Sequence, residues 1–221
     1  MKSLRLLVAT SVACSAVVIA QVPHQSEVQI ARELLKQGKS QEAIAKVDPI
    51  IASAMAKQAK DPDAICPGVA VAFLQNFMRK DNPGVTVSVE NDWCEAMLVK
   101  GYALTELKRP AEAAQTLGAL ARHDPNNAQY LIEYGFAVRS SGEIARALEI
   151  YKKAESLASR STNEQLASHW RAAALRGQGY AYIDLQNWDD AAKAYQKSLK
   201  YEPDNELAKS ELRFVADHRP R

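Results

Sequence analysis

WCEAMLVKGYALTELKRPAEAAQTLGALARHDP, residues 93–125, decides the fold, because it reads as two short amphipathic helices that must pack closely. Gly101 lets the helices approach, Pro110 opens the second of them, Ala113 packs where a larger side chain would clash, and Pro125 closes the unit. The same marks recur downstream. Gly101, Gly135 and Gly179 are matched by Ala113, Ala147 and Ala191, with a first offset of 34 residues in both series and a second of 44. The longer step is the same period with ten residues inserted.

Two further copies follow: AQYLIEYGFAVRSSGEIARALEIYKKA at 128–154, and LRGQGYAYIDLQNWDDAAKAYQKSLKYEP at 175–203. Self-similarity at about 34 residues, with helix-pair punctuation, resembles the tetratricopeptide repeat family. That resemblance implies an all-α, right-handed superhelical solenoid whose concave surface holds another molecule. The three copies divide as 94–127, 128–171 with the insertion, and 172–205. Ser161-Thr162-Asn163-Glu164 reads as a capping box, so the insertion lengthens the following helix to about Asn163–Leu185. Leu166 and Trp170 on that extension are expected to pack on the preceding helix. From Asp204 or Asn205, a helix over 206–217 places Leu207, Leu212, Phe214 and Val215 on one side, as a cap for the last repeat's apolar edge.

Upstream the pattern weakens. Residues 21–60 read as a degenerate first pair: Val28, Ile30, Ala31, Leu34 and Leu35 have helical spacing, Gly38 ends that helix, and a second starts at Ser40 and bends at Pro49. Ala31 stands in place of the close-packing glycine. Residues 61–93 break the period, with one helix expected over Val69–Met78, a turn at Asp81–Gly84 and an extended connector at 85–90.

The first twenty residues have another logic. Lys2 and Arg5 precede an uncharged run from Leu6 to Ala20, too short to span a bilayer but laid out as a cleavable secretory signal, with Val18 and Ala20 before the cut. Export to the periplasm or beyond is the expectation. A lipid-attachment reading of Cys14 fits poorly, since Ser11 stands where such sites carry leucine. Loss of Lys2 and Arg5 lowers the basic count from 28 to 26, equal to the 26 acidic residues, and this balance argues against nucleic-acid binding. The exported chain keeps Cys66 and Cys94, which an oxidising compartment would join; two separately buried thiols are the alternative. His24, His123, His169 and His218 are scattered and form no metal motif with the cysteines.

Family resemblance also places the groove. The first helix of each pair lines the concave face, and the residue after the tight glycine points into it: Tyr102, Phe136 and Tyr180. A turn further on come Thr105, Arg139 and Ile183, then Glu106, Ser140 and Asp184; a turn before come Leu98, Ile132 and Arg176. The aromatic residues are either a binding ladder or packing between adjacent repeats. The lysine and asparagine pattern of the carboxylate-clamp subfamily is absent from these positions. With no glycine-rich phosphate loop, nucleophile elbow or His-Glu metal motif, the sequence points to no enzyme and no cofactor. The expected partner is a protein or peptide; the competing reading is a structural subunit or assembly factor of an envelope complex that uses its convex face or helix edges.

Overall fold

The computed structural model describes residues 26–58 and 92–220. The signal segment 1–20, the expected helix over Val69–Met78, the connector at 85–90, Cys14 and Cys66 lie outside the described residues. Within them, nine helices run in order: α1 Glu27–Lys36, α2 Ser40–Gln58, α3 Asp92–Glu106, α4 Pro110–His123, α5 Ala128–Ser140, α6 Ile144–Ala158, α7 Glu164–Asp184, α8 Trp188–Tyr201 and α9 Glu206–His218. No strand occurs among the described residues.

Every helix packs on the next, and α1, α3, α5 and α7 also touch in succession, so the first helices of the pairs form one continuous inner layer. This is an all-α solenoid. α2 runs through Pro49 as a single helix.

One turn chemistry makes each pair. The amide of Lys39 donates to the Leu34 carbonyl at 2.9 Å, Arg109 to Leu104 at 2.9 Å, Glu143 to Val138 at 3.1 Å and Asn187 to Tyr182 at 2.8 Å. One residue earlier in each turn, Gly38, Lys108, Gly142 and Gln186 take φ of 72°, 58°, 92° and 57°. These bonds satisfy carbonyls that a helix end leaves open, and they turn the chain back in three residues. Glycine suits two of the turns; lysine and glutamine do the same work against the left-handed penalty of about 1–2 kcal/mol. Lys108→Gly and Gln186→Gly should each raise stability by about 0.5–1 kcal/mol, the penalty less the glycine's added chain entropy, as read from urea midpoints.

Asparagine starts the first helices of the later pairs. The side chains of Asn127, Asn163 and Asn205 accept the backbone amides of Tyr130 at 3.3 Å, Leu166 at 3.0 Å and Ala208 at 3.0 Å. In α7 the cap is therefore Asn163 and not a Ser161 capping box; Ser161 Oγ accepts the Asn163 amide at 3.3 Å and turns the chain into it. At 21 residues, α7 is the longest helix described.

Small-against-large contacts hold the layers together. A Cβ at Gly101 would lie 2.4 Å from Leu117 Cδ2, and one at Gly179 would lie 2.6 Å from Tyr195 Cζ. Tyr151, 2% exposed, lies between two such positions, 2.8 Å from a Cβ at Gly135 and 2.4 Å from one at Gly177. Its ring occupies the volume those side chains would fill and so ties α5, α6 and α7 together.

Candidate functional site

The inner layer is open at its N-terminal end, where α1, α3 and α5 enclose a groove of about 620 Å³. Leu98, Val99 and Leu117 make its floor, each at most 5% exposed, with Leu35 beside them. Phe136 stands on the α5 side at 40% exposure, the most exposed aromatic ring of the groove. Tyr102, Thr105 and Glu106 complete the α3 wall, while Arg32 and Lys36 come from α1 and Glu95, Gln129 and Glu133 from α3 and α5.

Five of the sequence-derived positions thus meet here: Leu98, Tyr102, Thr105, Glu106 and Phe136. The α1 residues had a signal that the missing glycine hid. Ala43 precedes Ala113 by 70 residues, and the same step carries Arg32, Leu35 and Lys36 onto the register of Tyr102, Thr105 and Glu106. Glu133 lies one turn before the aligned set, in register with Val99.

The remaining positions lie elsewhere, among contacts of the protein with itself. Ile132 packs against the buried groups around Leu131 and Ala154 and around Val138 and Tyr151. Ile183 packs with Ala191, Tyr195 and Val215. Arg139 Nε donates to Asp184 Oδ2 at 2.6 Å, and its guanidinium lies 4.9 Å from the centre of the Tyr180 ring. Tyr180 also meets Tyr195 edge to face at 5.8 Å. Arg176 donates to Glu202, which also pairs with His169 at 2.8 Å and accepts from Asn205 at 3.0 Å. Burial pushes the Glu202 carboxyl up, but hydrogen bonds from His169 and Arg176 outweigh it and hold the group below the usual carboxylate range. Leu166 lines a second hollow with Tyr201 and Glu202, at the end of α8.

Equal register therefore does not give equal environment. Burial, reinforced by the Glu133 charge, pushes the Tyr102 hydroxyl well above the ordinary phenol range. Burial likewise pushes the Glu133 carboxyl up, and the hydrogen bond from Tyr102 draws it only partly back. A carboxyl raised on folding binds more protons in the native state than in the unfolded one above about pH 4.3, so its contribution to stability falls as pH rises through its folded value. Glu133→Gln should therefore leave the protein as stable as the parent, or more so, at pH 7, with the difference gone near pH 3. Chemical denaturation across that range measures it; a variant less stable at pH 7 would show that the charge is well accommodated.

No curated protein sequence matches this chain. Among solved structures, the chain is similar to the TPR domain of Arabidopsis OM64, with 21% identity, 57% of this chain and 97% of that one covered, and a TM-score of 0.48. It is similar also to YrrB, described as a TPR protein with an unusual peptide-binding site, at 17% identity, 83% and 89% coverage and a TM-score of 0.45. A third, MamA from residue 41 to the end, from Desulfovibrio magneticus RS-1, gives 17% identity, 82% and 98% coverage and a TM-score of 0.43. Family models of the tetratricopeptide repeat match residues 98–162 and 172–205. Paired helices that turn on a left-handed residue, pack through small positions spaced by 34 and then 44, and match these models over both stretches have one reading: residues 98–162 and 172–205 are tetratricopeptide repeats.

Proposed function

We propose that this protein is an exported interaction module that binds a peptide or protein segment in the groove between α1, α3 and α5. The observation that carries the reading is the exposed Phe136 ring above a floor of buried Leu98 and Val99, an apolar concavity with polar groups on its rim. Its size lies within the range of about 300–1,000 Å³ typical of ligand sites. Proteins of this family generally act as non-catalytic interaction modules, and the reading stays within that class. Export rests on the layout of residues 1–20, and an intact mass beginning at Gln21 is its direct check. A Cys66–Cys94 bridge belongs to the same proposal; Cys94 is buried at the start of α3. No helix among the described residues is long and apolar enough to cross a membrane.

A photo-crosslinking residue in place of Phe136 should capture a partner, whereas the same residue in place of the exposed Lys197 on α8 should not. Phe136→Ala should weaken that partner's binding about tenfold without changing the melting temperature, as truncation of an interface anchor does. A structural-subunit reading has one observation in its favour: Phe214, 41% exposed, stacks on His218 at 4.0 Å beside Trp188, at the α9 edge. Loss of capture on Phe214→Ala, with Phe136→Ala silent, would move the function to that edge.

A further inference from the structure

The charges on the groove do not balance. Five charged side chains line it: Arg32, Lys36, Glu95, Glu106 and Glu133. Arg32 is taken up by Glu95, and Lys36 is 3.2 Å from Glu33, so both cations are already paired. Glu106 accepts a hydrogen bond from Ser40, and the Tyr102 hydroxyl lies against Glu133; both of those neighbours are neutral hydroxyls. A carboxylate has room for about four hydrogen bonds, and withdrawing a charge from water is costly unless an opposite charge meets it, which bears on the partly buried Glu133, while Glu106 at the rim is exposed. Two carboxylates on the groove therefore lack a cation among the described residues. Glu133 is three residues before Phe136 on α5, so one helix face offers an anion and an exposed apolar ring side by side.

We infer that the segment bound in the groove carries a lysine or arginine next to a large apolar side chain, with the cation meeting Glu133 and Glu106 while the apolar group covers Phe136, Leu98 and Val99. This rests on the groove assignment proposed above. An acidic segment would set like charge against two carboxylates whose neighbouring cations are already engaged, which costs affinity and selects against it.

The test uses a random-peptide phage library panned against the full chain, with selected peptides synthesised and titrated by fluorescence anisotropy. Enrichment of Lys or Arg adjacent to Leu, Ile or Phe is expected, with binding that weakens as salt is raised. Glu133→Gln, which keeps the shape and the Tyr102 contact, should weaken those peptides at least about tenfold, and Phe136→Ala should weaken them as well. If Phe136→Ala weakens binding but acidic or uncharged peptides are selected, or Glu133→Gln is silent, this inference is overturned while the groove assignment stands. If no peptide is enriched, or the selected peptides ignore Phe136→Ala, both are overturned. Thermal melts of the two variants no lower than that of the parent exclude misfolding as the cause.

Discussion

Tyr151→Ala is expected to lower stability by about 3–5 kcal/mol, the range for deleting a buried aromatic ring from a core that cannot collapse around the gap. The ring is 2% exposed, and Gly135 and Gly177 hold the backbones of α5 and α7 against it. Glycine has no side chain to reach into the space left behind, so the cavity opens against two backbones at once. Urea denaturation followed by circular dichroism gives the number. Because neighbouring repeats stabilise one another through their shared interfaces, the loss should also separate the unfolding of α1–α4 from that of α7–α9. A loss below about 1 kcal/mol would mean that α5 and α7 close on each other when the ring is removed, and that Tyr151 is not what spaces them.

Removing residues 206–221 should have a comparable effect at the other end. Val215 and Ala208, at 1% and 0% exposure, cluster with Tyr195, itself fully buried, and Leu212 packs against the same group. Burying a valine or tyrosine side chain is worth about 1.5–3 kcal/mol, so exposing Tyr195 while losing Val215 should cost about 4 kcal/mol. The exposed Arg219–Asp189 pair, at 2.6 Å, adds little to this total. Hydrogen exchange should quicken along α8 before it does elsewhere, since that helix loses the neighbour on its outer side. An unchanged urea midpoint, with α8 still protected, would show that α8 is held by α7 alone.

The architecture from α3 to α8 was legible because its determinants are local and repeated. A glycine, an alanine and a proline each recur at fixed spacing, and close packing needs the small residue at that place whatever surrounds it. Turn conformation was only half legible. Gly38 and Gly142 announce a left-handed residue, whereas Lys108 and Gln186 take the same φ without advertising it, because the two hydrogen bonds that close the turn impose it. The groove was less legible still. Its α1 wall hides behind Ala31, which keeps the helix spacing but removes the glycine by which register is recognised; Ala31 is wholly buried all the same. Tyr102, Phe136 and Tyr180 share one register, yet the first lies against Glu133, the second is open to solvent and the third is beneath Arg139. Periodicity assigns a side chain to a face. What meets it there depends on unrelated residues one helix away, and no repeat pattern encodes those.

The Arg139–Asp184 pair joins α5 to α7 across the inner layer, with Arg139 one helical turn after Phe136 on α5. Its two side chains are only 23% and 30% exposed, so a chain running past Phe136 toward α7 would have to displace a partly desolvated ion pair and lift a guanidinium from the Tyr180 ring. For a segment bound as proposed above, the pair would act as a terminus. On the groove assignment proposed above, the four helix pairs among the described residues would read a short word and not a long sentence, and the text flanking that word in a partner would be free to drift without loss of recognition.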